Sequence, residues 1–141
     1  MRVRVAVIGV VAASGLVLGA CGSDENDSGG GGGGVSTSIE ATASEFEFEP
    51  DSWTVPAGEE FTIDFKNDGS VPHEWAVIKL GEDLASEDDF AEDKILFEVE
   101  EVPADDSTTE KFTVDEAGTY QVICGIPTHF DAGMKGSLTV E

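Results

Sequence analysis

The chain has 141 residues, 40% of them hydrophobic and eight of them Phe, enough for one core and too few for a second enzyme module. Seven Lys and Arg against 30 Asp and Glu give 7 − 30 = −23, and both Arg lie in the first four positions, so from Cys21 onward the balance is 5 − 30 = −25. Nucleic-acid binding is excluded, because neutralising phosphates needs clustered Lys or Arg, and two His are too few for any centre built on three imidazoles.

Met1–Arg4 is a short basic start, and Val5–Gly22 then carries no charge. This is the pattern of an export signal. Leu18-Gly19-Ala20-Cys21 resembles the lipobox of prokaryotic lipoproteins, in which the Cys is lipidated and becomes the new N-terminus. The expected division is a signal peptide over 1–20, a lipidated Cys21 with a linker over 21–35, and one folded domain over 36–141. An uncleaved membrane anchor is the alternative, since 18 uncharged residues just reach spanning length. Both place the remainder outside the cytoplasm, tied to the outer face of the membrane. Ser23–Gly34 (SDENDSGGGGGG) has nothing to bury and reads as a flexible tether. Its Gly run lacks the GK[ST] ending of a phosphate-binding loop.

From Ser36 onward short strands follow one another. Phe46-Glu47-Phe48 alternates, and Phe61, Ile63 and Phe65 put three large apolar groups on one face at period two. Trp75–Leu80, Ile95–Val99, Lys111–Val114, Tyr120–Cys124 and Gly136–Val140 read similarly. Turn signals separate them: Pro56-Ala57-Gly58, Asn67-Asp68-Gly69, Pro103-Ala104-Asp105-Asp106 and Glu116-Ala117-Gly118. Seven or eight such strands predict an all-β protein, a two-sheet Greek-key sandwich. The acidic stretch Gly81–Asp93 departs from the pattern and is expected to form a short helix or a loop.

The scarcest side chains converge. Cys124-Gly-Ile-Pro-Thr-His129-Phe-Asp-Ala-Gly-Met134 has the spacing Cys-x4-His-x4-Met and links the end of one apolar strand to the start of another. His73, behind Pro72, heads a different strand. One thiolate, two imidazoles and a thioether form the ligand set of a type 1 (blue) copper electron-transfer site. Zinc recruits more thiolates or a carboxylate, and calcium and magnesium want oxygen. Taken singly, a Cys, a Met or a strand His is more often core filler. Jointly, every His, every Met beyond the initiator and every Cys outside the lipobox falls in this one pattern. Cys124 has no disulfide partner once Cys21 is lipidated, and a Cys–His nucleophile lacks an evident third orienting group.

Ser44–Glu141 resembles the cupredoxins of the plastocyanin/azurin family. Phe48-Glu-Pro, Trp53-Thr-Val-Pro-Ala-Gly58, Phe61-Thr-Ile-Asp-Phe-Lys-Asn67 and Pro72-His73 are similar to that family's opening. Gly118-Thr-Tyr-Gln-Val-Ile-Cys124 and His129-Phe-Asp-Ala-Gly-Met-Lys-Gly136 are similar to its ending. The Cys-x4-His-x4-Met loop most resembles the auracyanin branch of membrane-tethered cupredoxins. The resemblance implies one copper ion held by His73, Cys124 and His129 roughly in a plane, with Met134 as a long axial ligand. It implies a one-electron carrier cycling between Cu(I) and Cu(II), not an enzyme. It also implies an apolar docking patch around the second His, for which Ile126, Pro127, Phe130, Ala132 and Gly133 are the matching positions; the alternative is that Ile126 and Phe130 simply pack in the core.

Beside the ligands, Pro72, Glu74 and Gly125 are the expected second-sphere positions. Family members often carry Asn directly after the first His, tying it to the residue after the Cys; here Glu74 and Gly125 stand at those positions. Glu74 either accepts backbone N–H bonds in place of that link or points into solvent. A carboxylate there would favour Cu(II) and lower the potential. Expected partners are redox proteins such as a cytochrome or a terminal oxidase, met by a monomer. The acidity either steers a basic partner or reflects adaptation to salt. Capture or delivery of copper at the cell surface is the alternative function, although the chain has no Met-rich tract.

Overall fold

A computed structural model describes residues 34–141. The expected signal peptide, the expected lipidation site Cys21 and all but the last two residues of the expected linker lie outside the described residues. Nine strands form: β1 (Ser38–Ser44), β2 (Glu47–Glu49), β3 (Ser52–Val55), β4 (Glu60–Asn67), β5 (His73–Ile78), β6 (Ile95–Val102), β7 (Ser107–Thr113), β8 (Gly118–Ile123) and β9 (Lys135–Val140). They make two sheets, ordered β2-β1-β4-β7 and β3-β9-β8-β5-β6. The expected sandwich is present, with nine strands where the pattern suggested seven or eight.

Alternation explains the inner faces. In β4, Phe61, Ile63 and Phe65 are fully buried while Glu60, Asp64 and Lys66 face out. The opposite sheet supplies Trp53, Trp75, Val77, Val122, Leu138 and Val140. Trp53 and Trp75 meet edge to face at 5.4 Å between ring centroids. Two pairings are parallel, β1 with β4 and β3 with β9. In both, the first strand of the pair belongs to the N-terminal part of the chain. Gly136 is required where β9 passes the chain entering β3: a Cβ there would lie 2.5 Å from the Asp51 carbonyl oxygen.

The strand expected over Phe46–Phe48 divides. Only Glu47–Glu49 pairs with β1, and Phe48 is buried in the core. Phe46 stays on the β1–β2 turn, 39% exposed. The acidic stretch forms two 3-10 turns, Glu87–Asp89 and Glu92–Lys94. Between them Phe90 packs, with Leu84 and Ile95, on a small second cluster made of Ala76, Ile78, Ile123 and Phe130.

Strand order places the site. β5 and β8 are antiparallel neighbours, with Ala76 opposite Ile123 and Val77 opposite Val122. Continuing that register sets Glu74 opposite Gly125. The start of β5, with His73, therefore lies beside the end of β8, which runs into Cys124.

Candidate metal centre

His73, Cys124 and His129 meet at this end of the sandwich, with their potential ligand atoms within 4.8 Å of one another, and all three are buried. The Cys124 Sγ lies 3.4 Å from His129 Nδ1. His73 Nε2 faces the Glu45 carboxylate at 3.9 Å, which leaves Nδ1 as its atom for the site. Neither His73 nitrogen has a hydrogen-bond partner although the side chain is fully buried. Buried imidazole nitrogens are ordinarily paired, so this orphaned donor set fits a metal. Its mixture of two imidazoles and one thiolate is the copper-type set.

The ligand loop closes on itself. His129 N–H donates to the Ile126 carbonyl at 3.1 Å, Met134 N–H to the His129 carbonyl at 3.0 Å, and Cys124 N–H to the Met134 carbonyl at 3.3 Å. These bonds fold the eleven-residue span Cys124–Met134 back on itself. Met134 is fully buried in the main core beside Cys124. Thr128, a β-branched residue, is held at φ 78°, a region such residues rarely occupy.

The acidic stretch straps this loop. The Glu87 carboxylate accepts the Thr128 N–H at 2.6 Å, and Glu87 N–H donates to the Asp131 carboxylate at 2.9 Å. No sequence motif marked Glu87, because its partners lie more than 40 residues away.

The first histidine is fixed from the other sheet. Asn67, fully buried at the end of β4, donates its Nδ2 to the carbonyls of Val71 (2.8 Å) and Val102 (2.9 Å) and accepts the Gly69 N–H at 2.8 Å. The Glu45 carboxylate accepts N–H bonds from Ser70 and Val71 and the Ser70 hydroxyl. Neither residue was identified from sequence. The Asn-Asp-Gly turn was legible, but the inward aim of its Asn was not.

Glu74 turns inward, not out into solvent. Its N–H lies 3.4 Å from Cys124 Sγ, and its carboxylate lies over Gly125, whose N–H favours the ionised form. A Cβ on Gly125 would lie 2.5 Å from Glu74 Oε2. Burial, then the charges of Glu98 and Glu101, push the Glu74 carboxyl up. Burial raises the Cys124 thiol, opposed by the Glu74 and Ile126 N–H groups. Burial lowers both imidazoles, that of His73 further through His129. Each apo ligand is thus disposed toward its uncharged state, and an uncharged imidazole is the metal-binding form. The Ser70 N–H chiefly holds Glu45 below the usual carboxylate range.

The expected docking patch needs one correction. Phe130 is buried at 5% exposure, packed with Ile123 and Leu84, because the turn that aims His129 at the site sends the next side chain into the second cluster. Pro127, Ala132 and Gly133 are exposed and Ile126 is half-buried. The apolar group that does lie open beside the second histidine is Phe46, whose ring meets His129 edge-on at 4.9 Å.

Comparison with known proteins agrees with this geometry. The family model for copper binding proteins of the plastocyanin/azurin family matches residues 35–141. The chain belongs to that family. Auracyanin-A of Chloroflexus aurantiacus is 32% identical over 165 aligned residues, covering 100% of this chain and 99% of the relative. Plastocyanin A/B of Petroselinum crispum is 33% identical over 108 residues, covering 67% of this chain and 87% of the relative. The dithionite-reduced auracyanin of the photosynthetic bacterium Roseiflexus castenholzii superposes with a TM-score of 0.68 at 31% identity, over 77% of this chain and 99% of that one. This cupredoxin therefore carries a type 1 copper site at His73, Cys124 and His129.

Proposed function

We propose that this cupredoxin is a one-electron carrier, with Met134 as the weak axial ligand, held outside the cytoplasm by lipid on Cys21. The observation that carries the reading is the His73–Cys124–His129 cluster itself, buried yet with His129 at the rim under an exposed Phe46. Bound copper supplies the one-electron couple. The protein supplies what surrounds it. Three loop hydrogen bonds, the Glu87 strap and Asn67 fix the ligands before metal arrives, so little in the protein rearranges between the two redox states. The buried cluster keeps bulk water from the thiolate. The role proposed is transfer of electrons without bond chemistry.

Phe46, Pro127 and Ala132 form the face through which His129 reaches a partner, a small apolar surface suited to brief redox encounters. The partner is a redox protein such as a cytochrome or a terminal oxidase. The N-terminal export and lipobox pattern, followed by the Gly-rich linker, supports a tethered domain with reach above the membrane.

The deciding experiment loads the full chain with Cu(II) and records the visible spectrum of wild type and Cys124→Ala. An intense thiolate-to-copper band, absent in the variant and bleached reversibly by a reductant, is the expected result. A colourless wild type sinks the carrier reading.

A further inference from the structure

The β1–β2 turn reaches across from the opposite sheet and touches both histidines. Phe46 lies on His129, and the residue before it, Glu45, lies on His73. His73 Nε2 is buried and unpartnered. The acceptor facing it is Glu45 Oε1 at 3.9 Å. The other nearby oxygen, Asn67 Oδ1, is engaged by the Gly69 N–H. The space between is closed by glycine: a Cβ on Gly69 would lie 2.6 Å from Glu45 Oε1, 2.9 Å from His73 Nε2 and 3.1 Å from Asn67 Oδ1. A side chain at position 69 would thus separate the carboxylate from the imidazole.

We infer that Glu45 is a positioning residue for the metal centre: its carboxylate accepts the Nε2–H of His73 and sets the redox balance of the copper that His73 binds through Nδ1. A histidine that gives one nitrogen to a metal carries its proton on the other, and an outer carboxylate on that N–H fixes the ring and raises its basicity. A hydrogen bond needs a separation of about 2.9 Å, so Glu45 Oε1 and Nε2 approach by about 1 Å when the N–H is present to be shared. The same carboxylate already accepts bonds from Ser70 and Val71, the two residues before Pro72-His73, so its position is set by the segment that carries the ligand. A negative charge on this side of the site favours Cu(II) over Cu(I). Glu74 is a separate carboxylate on the Cys124 side, over Gly125, and does not contact Nε2.

The inference rests on the copper reading of the site and not on any partner. The test uses the full chain loaded with copper, comparing wild type, Glu45→Gln, Gly69→Ala and, as a control on the same turn, the exposed Glu47→Gln. Glu45→Gln keeps an acceptor for Ser70 and Val71 and removes the charge. Losing an outer-sphere partner of a metal-bound His changes metal affinity by roughly 10–100-fold. If this falls mainly on Cu(II), a tenfold change in the Cu(II):Cu(I) affinity ratio raises the reduction potential by about 59 mV. Glu45→Gln and Gly69→Ala are expected to show that rise with the thiolate-to-copper band retained, and Glu47→Gln a much smaller one. In the Cu(I) protein, nitrogen-resolved NMR should show a slowly exchanging His73 Nε2 proton that exchanges faster in both variants. An unmoved potential in Glu45→Gln, or an equal rise in Glu47→Gln, overturns the inference and leaves the copper site standing. A colourless wild type overturns both.

Discussion

Replacing Asn67 by Ala tests whether the first histidine is held by the opposite sheet. The Asn67 side chain makes three hydrogen bonds, two of them buried, to groups on the β4–β5 loop and on β6. Each such bond contributes about 1 kcal/mol net, and a buried polar group left unpaired costs about 1–3 kcal/mol. Ala removes all three bonds and strands the Val102 carbonyl and the Gly69 N–H away from water. The expected loss is about 3–7 kcal/mol, from two stranded groups and one further bond, a large share of the roughly 5–15 kcal/mol that holds a domain folded. The assay is urea unfolding of the apo protein followed by Trp fluorescence, with Trp53 and Trp75 as the reporters. Both lie in the core, so the probe reads global unfolding. A midpoint shift with unchanged slope assigns the effect to the folded state. The copper-loaded variant should also lose metal to a chelator faster than wild type, because Val71 stands two residues before His73. A loss below about 1 kcal/mol would refute the argument, since one net hydrogen bond alone accounts for that much.

Three further outcomes are expected. Glu74→Gln should raise the reduction potential while retaining the thiolate-to-copper band, because the variant keeps an oxygen over Gly125 and removes the charge; an unmoved potential refutes a tuning role for that carboxylate. Gly136→Ala should destabilise the apo protein by about 1–3 kcal/mol, because its Cβ would meet the Asp51 carbonyl oxygen at 2.5 Å and must push β3 from β9; wild-type stability in urea contradicts the packing. The apo protein should gain stability from added salt, and its Glu98 carboxyl should contribute stability as pH falls into the acid range. Burial first, then Glu100 and Glu92, hold the Glu98 carboxyl above the usual range, so the folded state binds its proton at higher pH than the unfolded state does. Stability from that group is present below the ordinary carboxylate pKa and is lost as pH rises through the raised one. Glu45, held low by Ser70, and His73 and His129, held low by burial, act in the opposite sense. Thermal melts across the acid range, at low and high NaCl, check this; a melting temperature that rises steadily with pH and ignores salt refutes it.

The centre was legible in sequence to the extent that its ligands are chemically rare. His73, Cys124 and His129, and Met134 proposed beside them, stand out because nothing else in the chain competes for their roles, and β4 stands out because its large groups alternate. Legibility fails where the side chains are common or the partner is distant. β1 buries Ile39, Ala41 and Ala43, and two alanines among Ser, Thr and Glu carry no strand signal. It forms because its backbone pairs with β4 along six residues. Phe46 and Phe130 invert their expected places for the same reason in opposite directions. In each case a tight turn beside a paired segment, not the period of the sequence, decides which side of the chain faces in. Glu45, Asn67 and Glu87 could not be singled out, since Glu is abundant and an Asn before Asp-Gly is an ordinary turn residue. Their importance comes from where β1, β4 and the acidic stretch end.

Three carboxylates, Glu45, Glu74 and Glu87, also explain why so acidic a chain can keep a well-defined metal pocket. Residues 34–141 carry five Lys against 27 acids, and the two Lys–carboxylate pairs present, Lys66–Asp68 and Lys111–Glu60, are exposed. Exposed pairs contribute little, so the site cannot depend on ion pairing. Carboxylates are satisfied instead by backbone N–H groups: Glu45 by Ser70 and Val71, Glu87 by Thr128, while Glu74 lies over Gly125. Each of these donors lies within three residues of a ligand, and each bond is charge-assisted and so stronger than a neutral one. The acidic surface and the rigid site are in this sense one design. Carboxylates that elsewhere repel one another here hold the ligand segments from three directions. They also place negative charge beside the copper, which favours Cu(II). Substituting them one at a time therefore tests rigidity and potential together, and Gln in place of Glu separates the two, because the acceptor stays and the charge goes.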